Sequence, residues 1–125
     1  MVWFHKYVGR KWDLSYNCWG LVADVYWQEK NIVLPSYKVE VGFNNKKHFA
    51  SLFSNAQEKT KWYDVDDPET FDLLLFWTSF PVHCGIYDKK HKGVLHSIEK
   101  SGVVFQKLRE PGMAQWLSIQ SLRRK

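Results

Sequence analysis

Between residues 18 and 29 the apolar positions Leu21, Val22, Val25 and Tyr26 recur at offsets of three and four, the spacing of one face of an α-helix. Ser15 and Asn17 stand just before this stretch and can accept hydrogen bonds from the unpaired amides of a first turn. Cys18 therefore falls in that first turn. A second helix is expected over residues 45–59, where Phe49, Leu52, Phe53 and Ala56 share a face and Lys46, Lys47, Glu58 and Lys59 lie off it. The intervening Leu34-Pro35-Ser36-Tyr37 reads as an extended connection, because proline drives the residue before it out of the helical region.

From Asp72 onward the apolar period shortens. Residues 73–77, 82–87, 94–98 and 103–108 read as four strands, separated by the turn-rich stretch 88–93 and by Lys100-Ser101-Gly102. Loops this short join antiparallel neighbours. The tail over residues 113–125 keeps Trp116, Leu117, Ile119 and Leu122 apolar and closes on Arg123-Arg124-Lys125, so its start is expected to pack and its end to be solvated. The pattern as a whole predicts an α+β fold, with N-terminal helices packed on an antiparallel sheet, in a single domain over residues 1–125.

Composition changes this picture in one respect. Apolar types at 45% and charged types at 25% are ordinary for a globular domain and exclude a collagen-like or broadly disordered chain. The 7 Trp, 6 Tyr and 8 Phe, however, are enough rings to dominate a core and still line a groove of the kind that suits a sugar or peptide. A net charge of +5 favours contact with polyanions. The basic residues are dispersed and no strand carries a base-stacking aromatic motif, so nucleic acid is not the expected partner. No apolar run approaches the roughly 20 residues of a membrane-spanning helix, and the first thirteen residues mix Trp3 and Phe4 with His5, Lys6, Arg10 and Lys11, unlike a signal peptide or anchor. Membrane insertion is not expected.

Two cysteines, Cys18 and Cys84, cannot build a disulfide scaffold, and their neighbours decide what they are. A helix N-terminus favours the thiolate over the thiol, which makes Cys18 a candidate nucleophile; taken alone it reads equally well as a buried, inert thiol. A nucleophile needs a base. In the strand His83-Cys84-Gly85-Ile86-Tyr87, alternation turns His83, Gly85 and Tyr87 to one face and assigns Cys84 to the core. Pairing Tyr87 with Val94 sets Gly85 opposite His96 and brings His83 and His96 to one face, with only a glycine hydrogen between them; a slip of one residue would send His96 to the other face. In that register His83 can take the proton of Cys18 and later protonate the leaving amine, His96 can orient the His83 ring, and the Cys18 backbone amide can receive an oxyanion. Zinc fits less well, since His83 and Cys84 face opposite ways and no C-x-x-C or H-x-x-x-H pair exists; no metal and no cofactor are expected. His5, His48 and His91 read as surface histidines, the last at the tip of a lysine-rich turn.

Tyr16-Asn17-Cys18-Trp19-Gly20-Leu21-Val22, then Asp72-Leu73-Leu74-Leu75-Phe76, then Pro81-Val82-His83-Cys84-Gly85-Ile86-Tyr87 and Val94-Leu95-His96, resemble in order and spacing the NlpC family of papain-like cysteine peptidases. The resemblance is greatest to the branch encoded by tailed bacteriophages, in which Trp follows the nucleophile and Leu-Pro closes the helix segment, as Trp19 and Leu34-Pro35 do here. It implies a papain-like fold, a catalytic triad of Cys18, His83 and His96, and cleavage of peptide stems or cross-links in bacterial peptidoglycan, commonly at the γ-D-glutamyl to diaminopimelate bond. It further implies a virion setting at a phage tail tip or baseplate, other tail proteins as partners, and action in the host envelope. The alternative within the same resemblance is a structural tail subunit that keeps the fold with little or no activity. Trp12, Tyr16 and Trp19 are the expected walls of the substrate groove. The chain departs from the family pattern at Asn17, where Asp is usual before the nucleophile, at Trp12, where a tyrosine often stands, and at Phe71, where glycine normally precedes Asp72.

Overall fold

The computed structural model describes residues 2–13, 15–35, 59–77, 81–109 and 118–125. Among these lie one α-helix, α1 (Cys18–Lys30), and six strands, β1 (Trp62–Asp64), β2 (Leu73–Trp77), β3 (Pro81–Asp88), β4 (Gly93–Ile98), β5 (Gly102–Lys107) and β6 (Ser118–Arg124). The strands form one sheet in the order β1-β6-β2-β3-β4-β5, with every neighbouring pair antiparallel. Helix α1 packs on β3 and β4, which gives the expected α+β layout. The helix expected over residues 45–59 lies outside the described residues except for Lys59, which opens a 3-10 turn, Lys59–Lys61.

Helix α1 starts where the Asn17 side chain accepts the Gly20 N–H at 3.0 Å, and it stops at Asn31, which takes the left-handed conformation at φ 55°. Its apolar stripe is buried as the spacing requires. Leu21, Val22 and Val25 are fully shielded, each contributing about 1.5–3 kcal/mol by leaving water. They pack with Leu73, Leu75, Cys84, Ile86, Leu95, Val103 and Leu122 in the main core, while Leu74, Phe76, Tyr87 and Val94 form a second cluster. Odd and even positions of β2 thus go to different clusters, which is the period of two read from the sequence.

The tail corrects the sequence reading. Residues Arg123 and Arg124 do not trail into solvent: they belong to β6, which inserts between β1 and β2 and buries Leu122. Its polar residues are matched individually, with Arg123 donating twice to Asp72 at 3.0 and 2.8 Å and the Arg124 guanidinium lying 5.3 Å from the centre of the Trp62 ring. At the far edge of the sheet, the Gly9 N–H donates to the Val103 carbonyl and the Val103 N–H to the Arg10 carbonyl, so the N-terminal segment covers β5.

Among the described residues, much of the aromatic complement lies in the core or packs against it. Phe4, Tyr7, Trp19, Tyr26, Trp62 and Phe76 are buried, and Phe4 stacks on Phe105 with centroids 3.9 Å apart. Phe71 sits at φ 78°, a conformation that costs a non-glycine residue about 1–2 kcal/mol. What holds it there is a ring contact with Trp3 at 4.6 Å, the Lys30 ammonium 4.8 Å from its ring, and a hydrogen bond from the Tyr26 hydroxyl to its carbonyl. A side chain at this position therefore cements the N-terminal segment to the end of α1. His91 is likewise no free surface group, because its Nδ1 lies 2.6 Å from Asp88 and its ring meets Phe4 edge-on.

Candidate active site

The loop before α1 is fixed from three sides. Asp13 accepts hydrogen bonds from the Ser15 N–H, the Ser15 hydroxyl and the Tyr16 N–H at 2.7–2.8 Å, and those donors, led by the Ser15 hydroxyl, hold its carboxyl below the usual range. The Ser97 hydroxyl on β4 donates to the Tyr16 carbonyl at 3.0 Å, tying the loop to the strand that carries His96. Gly20 is required by closeness, since a Cβ there would drive into the Ser15 carbonyl oxygen. Cys18 is thereby held at the helix start, partly exposed, while Cys84 is buried beneath it.

The histidines meet as the hairpin register predicts. Tyr87 pairs with Val94, and His83 Nε2 lies 2.7 Å from His96 Nδ1. His96 is buried, and its Nε2 lies 2.7 Å from Gln106 Oε1 on β5. This arrangement fixes the tautomers. Gln106 Oε1 can only accept, so His96 donates from Nε2 and is left with Nδ1 as an acceptor for the His83 Nε2–H. The remaining His83 nitrogen, Nδ1, is then the one available to the thiol. Gln106 was missed in the sequence, where it shows only as a polar residue in a strand; the signal that could have found it is its place diagonal to His96 on the neighbouring strand, where Val94 pairs with Gln106.

The Cys18 thiol is held well below its ordinary range. The first cause is a hydrogen bond from the Cys84 thiol, against which burial works, followed by the hydrogen bond and charge of His83; the Cys84 N–H also donates to the sulfur. Cys84 is pushed the other way, by burial first and then by its bond to Cys18. Cys84 is therefore a core residue, as alternation predicts, and also a neighbour of the Cys18 sulfur, which the sequence reading missed. A register shift between Phe76 and Trp77, with one extra residue on β3, lies just before His83, and beyond it the two consecutive residues His83 and Cys84 reach one sulfur.

A sulfur biased to thiolate, against an imidazole whose far nitrogen is anchored, can attack a carbonyl and pass a proton to a leaving group. Residues 5–121 match the family model described as NlpC/P60 family. The chain belongs to the NlpC/P60 family. Members of this family are in general cysteine peptidases acting on peptidoglycan peptides, and the α+β layout described above is consistent with their papain-like fold. No curated protein matches the chain. Among the described residues, no group of three His, Cys, Asp or Glu side chains could hold a metal ion.

The expected groove walls fare differently within this NlpC/P60 domain. Trp19 is corrected: it is 3% exposed, belongs to the main core, and donates its Nε1–H to the Pro35 carbonyl at 2.8 Å, so it ties the Leu34-Pro35 connection to the helix and forms no groove wall. The reason is helical geometry, which turns the residue after Cys18 about 100° away from it and into the sheet. Tyr16 is half-buried. Its hydroxyl donates to Asp24 at 2.7 Å and accepts from Arg10 at 3.0 Å, and burial followed by the Asp24 contact raises its pKa, keeping it a neutral phenol that braces the loop. Trp12 remains partly exposed.

Two tests of this geometry follow from particular atoms. A Cβ at Gly85 would lie 2.5 Å from Val94 Cγ2, 2.7 Å from the Leu95 carbonyl oxygen and 3.0 Å from His96 Cβ. The backbone oxygen cannot give way, so Gly85→Ala is expected to cost about 2–3 kcal/mol in urea unfolding and to push His96 from His83; an unchanged midpoint would contradict the hairpin packing. His96 supplies the second. Burial, then the neighbouring charge of His83, lowers its pKa from 6.5 to about 3, with the Gln106 contact opposing. The unfolded chain binds this proton below pH 6.5 and the folded chain does not until about pH 3. The stabilisation is complete above the unfolded value and drains as the pH falls, by about 1.4 kcal/mol per unit. His96→Gln should therefore lose about 2 kcal/mol less than the parent between pH 7 and pH 5 in urea unfolding; equal losses would show that His96 is not held neutral.

Proposed function

We propose that the protein is a cysteine endopeptidase that cleaves peptide stems or cross-links of bacterial peptidoglycan, with Cys18 as nucleophile, His83 as acid and base, and His96 as the residue that orients His83. The observation carrying this reading is the unbroken series from the Cys18 sulfur through His83 and His96 to Gln106. In the reaction, the Cys18 thiolate attacks the scissile carbonyl and the oxyanion forms beside the Cys18 N–H, in the first helical turn where no intrahelical acceptor exists. The His83 imidazolium protonates the amine that leaves. Neutral His83 then takes a proton from water, which frees the acyl group from the sulfur. The net charge of +5 favours encounter with an anionic wall, an effect that salt weakens. Purified protein should release new amino groups from bacterial sacculi, with a rate that falls as salt is raised; sacculi left intact by protein whose Cys18 reacts with iodoacetamide would overturn the substrate assignment.

We also place the enzyme on a tailed-phage particle, at the tail tip or baseplate, acting in the host envelope beside other tail proteins. What supports this is Trp19 directly after Cys18 and Leu34-Pro35 at the end of the helix segment, the features shared with the phage branch, here joined by the Trp19 hydrogen bond to Pro35. Mass spectrometry of purified particles should find the chain in tails; particles lacking it would overturn the placement.

A further inference from the structure

Peptidase chemistry uses one thiol, and this site holds two. Cys84 belongs to the buried core cluster, and Cys18 packs against that cluster from the start of α1, with the Cys84 thiol donating a hydrogen bond to the Cys18 sulfur. Both are free in the structure. The two differ in access: Cys18 is partly exposed, whereas Cys84 has 0% exposure. An oxidant from solvent therefore meets Cys18 first, and the oxidised sulfur finds a second thiol already in contact.

We propose that Cys84 is a resolving thiol, and that a peroxide converts the Cys18–Cys84 pair to a disulfide that switches the site off reversibly. The proposal rests on the reading of Cys18 as the reactive thiolate. In the first step the Cys18 thiolate attacks one peroxide oxygen, the O–O bond breaks, and the departing hydroxide takes up a proton as water, leaving Cys18 as a sulfenic acid. In the second, the Cys84 sulfur attacks the Cys18 sulfur, the S–O bond breaks, and the departing hydroxide leaves as water with the Cys84 proton. Two thiols lose two electrons and one peroxide becomes two waters. Sulfenic acid at Cys18 is uncharged, so the thiolate that held the Cys84 proton in place is gone by the time Cys84 must react. The sulfurs need only close from hydrogen-bond contact to a bond of about 2 Å, a movement between the first turn of α1 and a strand it packs on. Without Cys84 the sulfenic acid stays open to a second peroxide and goes on to sulfinic acid, which thiols do not reverse.

The test treats the full chain with hydrogen peroxide and follows intact mass and a non-reduced peptide map. The expected result is loss of two hydrogens, a cross-linked peptide pair containing Cys18 and Cys84, and restoration of the starting mass by dithiothreitol. Cys84→Ala should instead gain oxygens at Cys18, with sulfinic acid forming a share of the oxidised Cys18 at least about tenfold larger than in the parent; Cys84→Ser, closer in size and polarity, serves if the alanine variant does not fold. Parent protein that gains oxygens at Cys18 as fast as either variant, with no cross-linked peptide, would overturn the proposal. Because the readout is mass, a disulfide that forms in protein unable to attack sacculi would sink the peptidoglycan assignment alone, and active protein that forms none would sink this inference alone.

Discussion

Cys18→Ala is expected to lower amino-group release from sacculi at least about 1,000-fold, to the level of protein-free buffer, because the neighbouring thiol, Cys84, is fully buried in the core and cannot meet a peptide carbonyl. The loss should be chemical and not structural. Helix α1 keeps its Asn17 cap and its buried stripe of Leu21, Val22 and Val25, so thermal unfolding should move by no more than about 1 kcal/mol. Cys18→Ser sharpens the point, since the contacts that favour a thiolate, the Cys84 thiol and N–H and the His83 ring, do not bring a hydroxyl with a far higher pKa to the same state. It should lie at least about 100-fold below the parent. Release by the alanine variant equal to that of an active parent would end the thiol mechanism, and release by neither protein above buffer would favour a structural tail subunit that keeps the family fold.

Helix α1 and four of the six strands were legible because each carries its own period. The stripe of Leu21, Val22, Val25 and Tyr26 and the strand Leu73–Trp77 bury the residues that spacing alone selects. The pairing of Tyr87 with Val94 was legible only as one register of a short turn, with a slip of one residue as the alternative, and the structure has the register that brings the histidines together. Strands β1 and β6 were not. Strand β1 has three residues, too few to show a period, and β6 offers mainly Leu122 as a buried apolar residue among Ser118, Gln120, Ser121, Arg123 and Arg124. Its place in the sheet comes from partners far along the chain, Asp72 and Trp62, which no local window contains. The same limit hid the second layer of the site. Cys84 reads as core because alternation is local, and its contact with Cys18 comes from the packing of α1 on β3, which joins residues far apart in the chain. Trp19 was misread because closeness in sequence to a nucleophile is not closeness in space on a helix.

His83→Ala is expected to reduce kcat by about 1,000-fold with KM little changed, because the imidazole acts on protons in the reaction and not on the bound peptide. It should also slow alkylation of Cys18 by iodoacetamide near neutral pH. That effect should be the smaller one, since the hydrogen bond from the Cys84 thiol, the first cause of the lowered Cys18 pKa, survives the substitution. The split between the two readouts separates the resting thiolate from the proton that must reach the leaving amine. The rest of the series predicts a graded outcome. Gln106→Leu leaves the buried His96 Nε2–H without its acceptor at 2.7 Å, and His96 can then move its proton to Nδ1, where it confronts the His83 Nε2–H. His83 must turn or change tautomer, at a cost of about tenfold in kcat, while Gln106→Glu keeps an acceptor at the same place and should recover most of that loss. If Gln106→Leu matched the parent while His83→Ala did not, His83 would be held by its packing against Phe76, whose ring centre lies 5.4 Å away, and His96 would serve the core alone. If His83→Ala itself kept the parent kcat, the proton would have to come from solvent, and the imidazole series, whatever its geometry, would have no part in the chemistry.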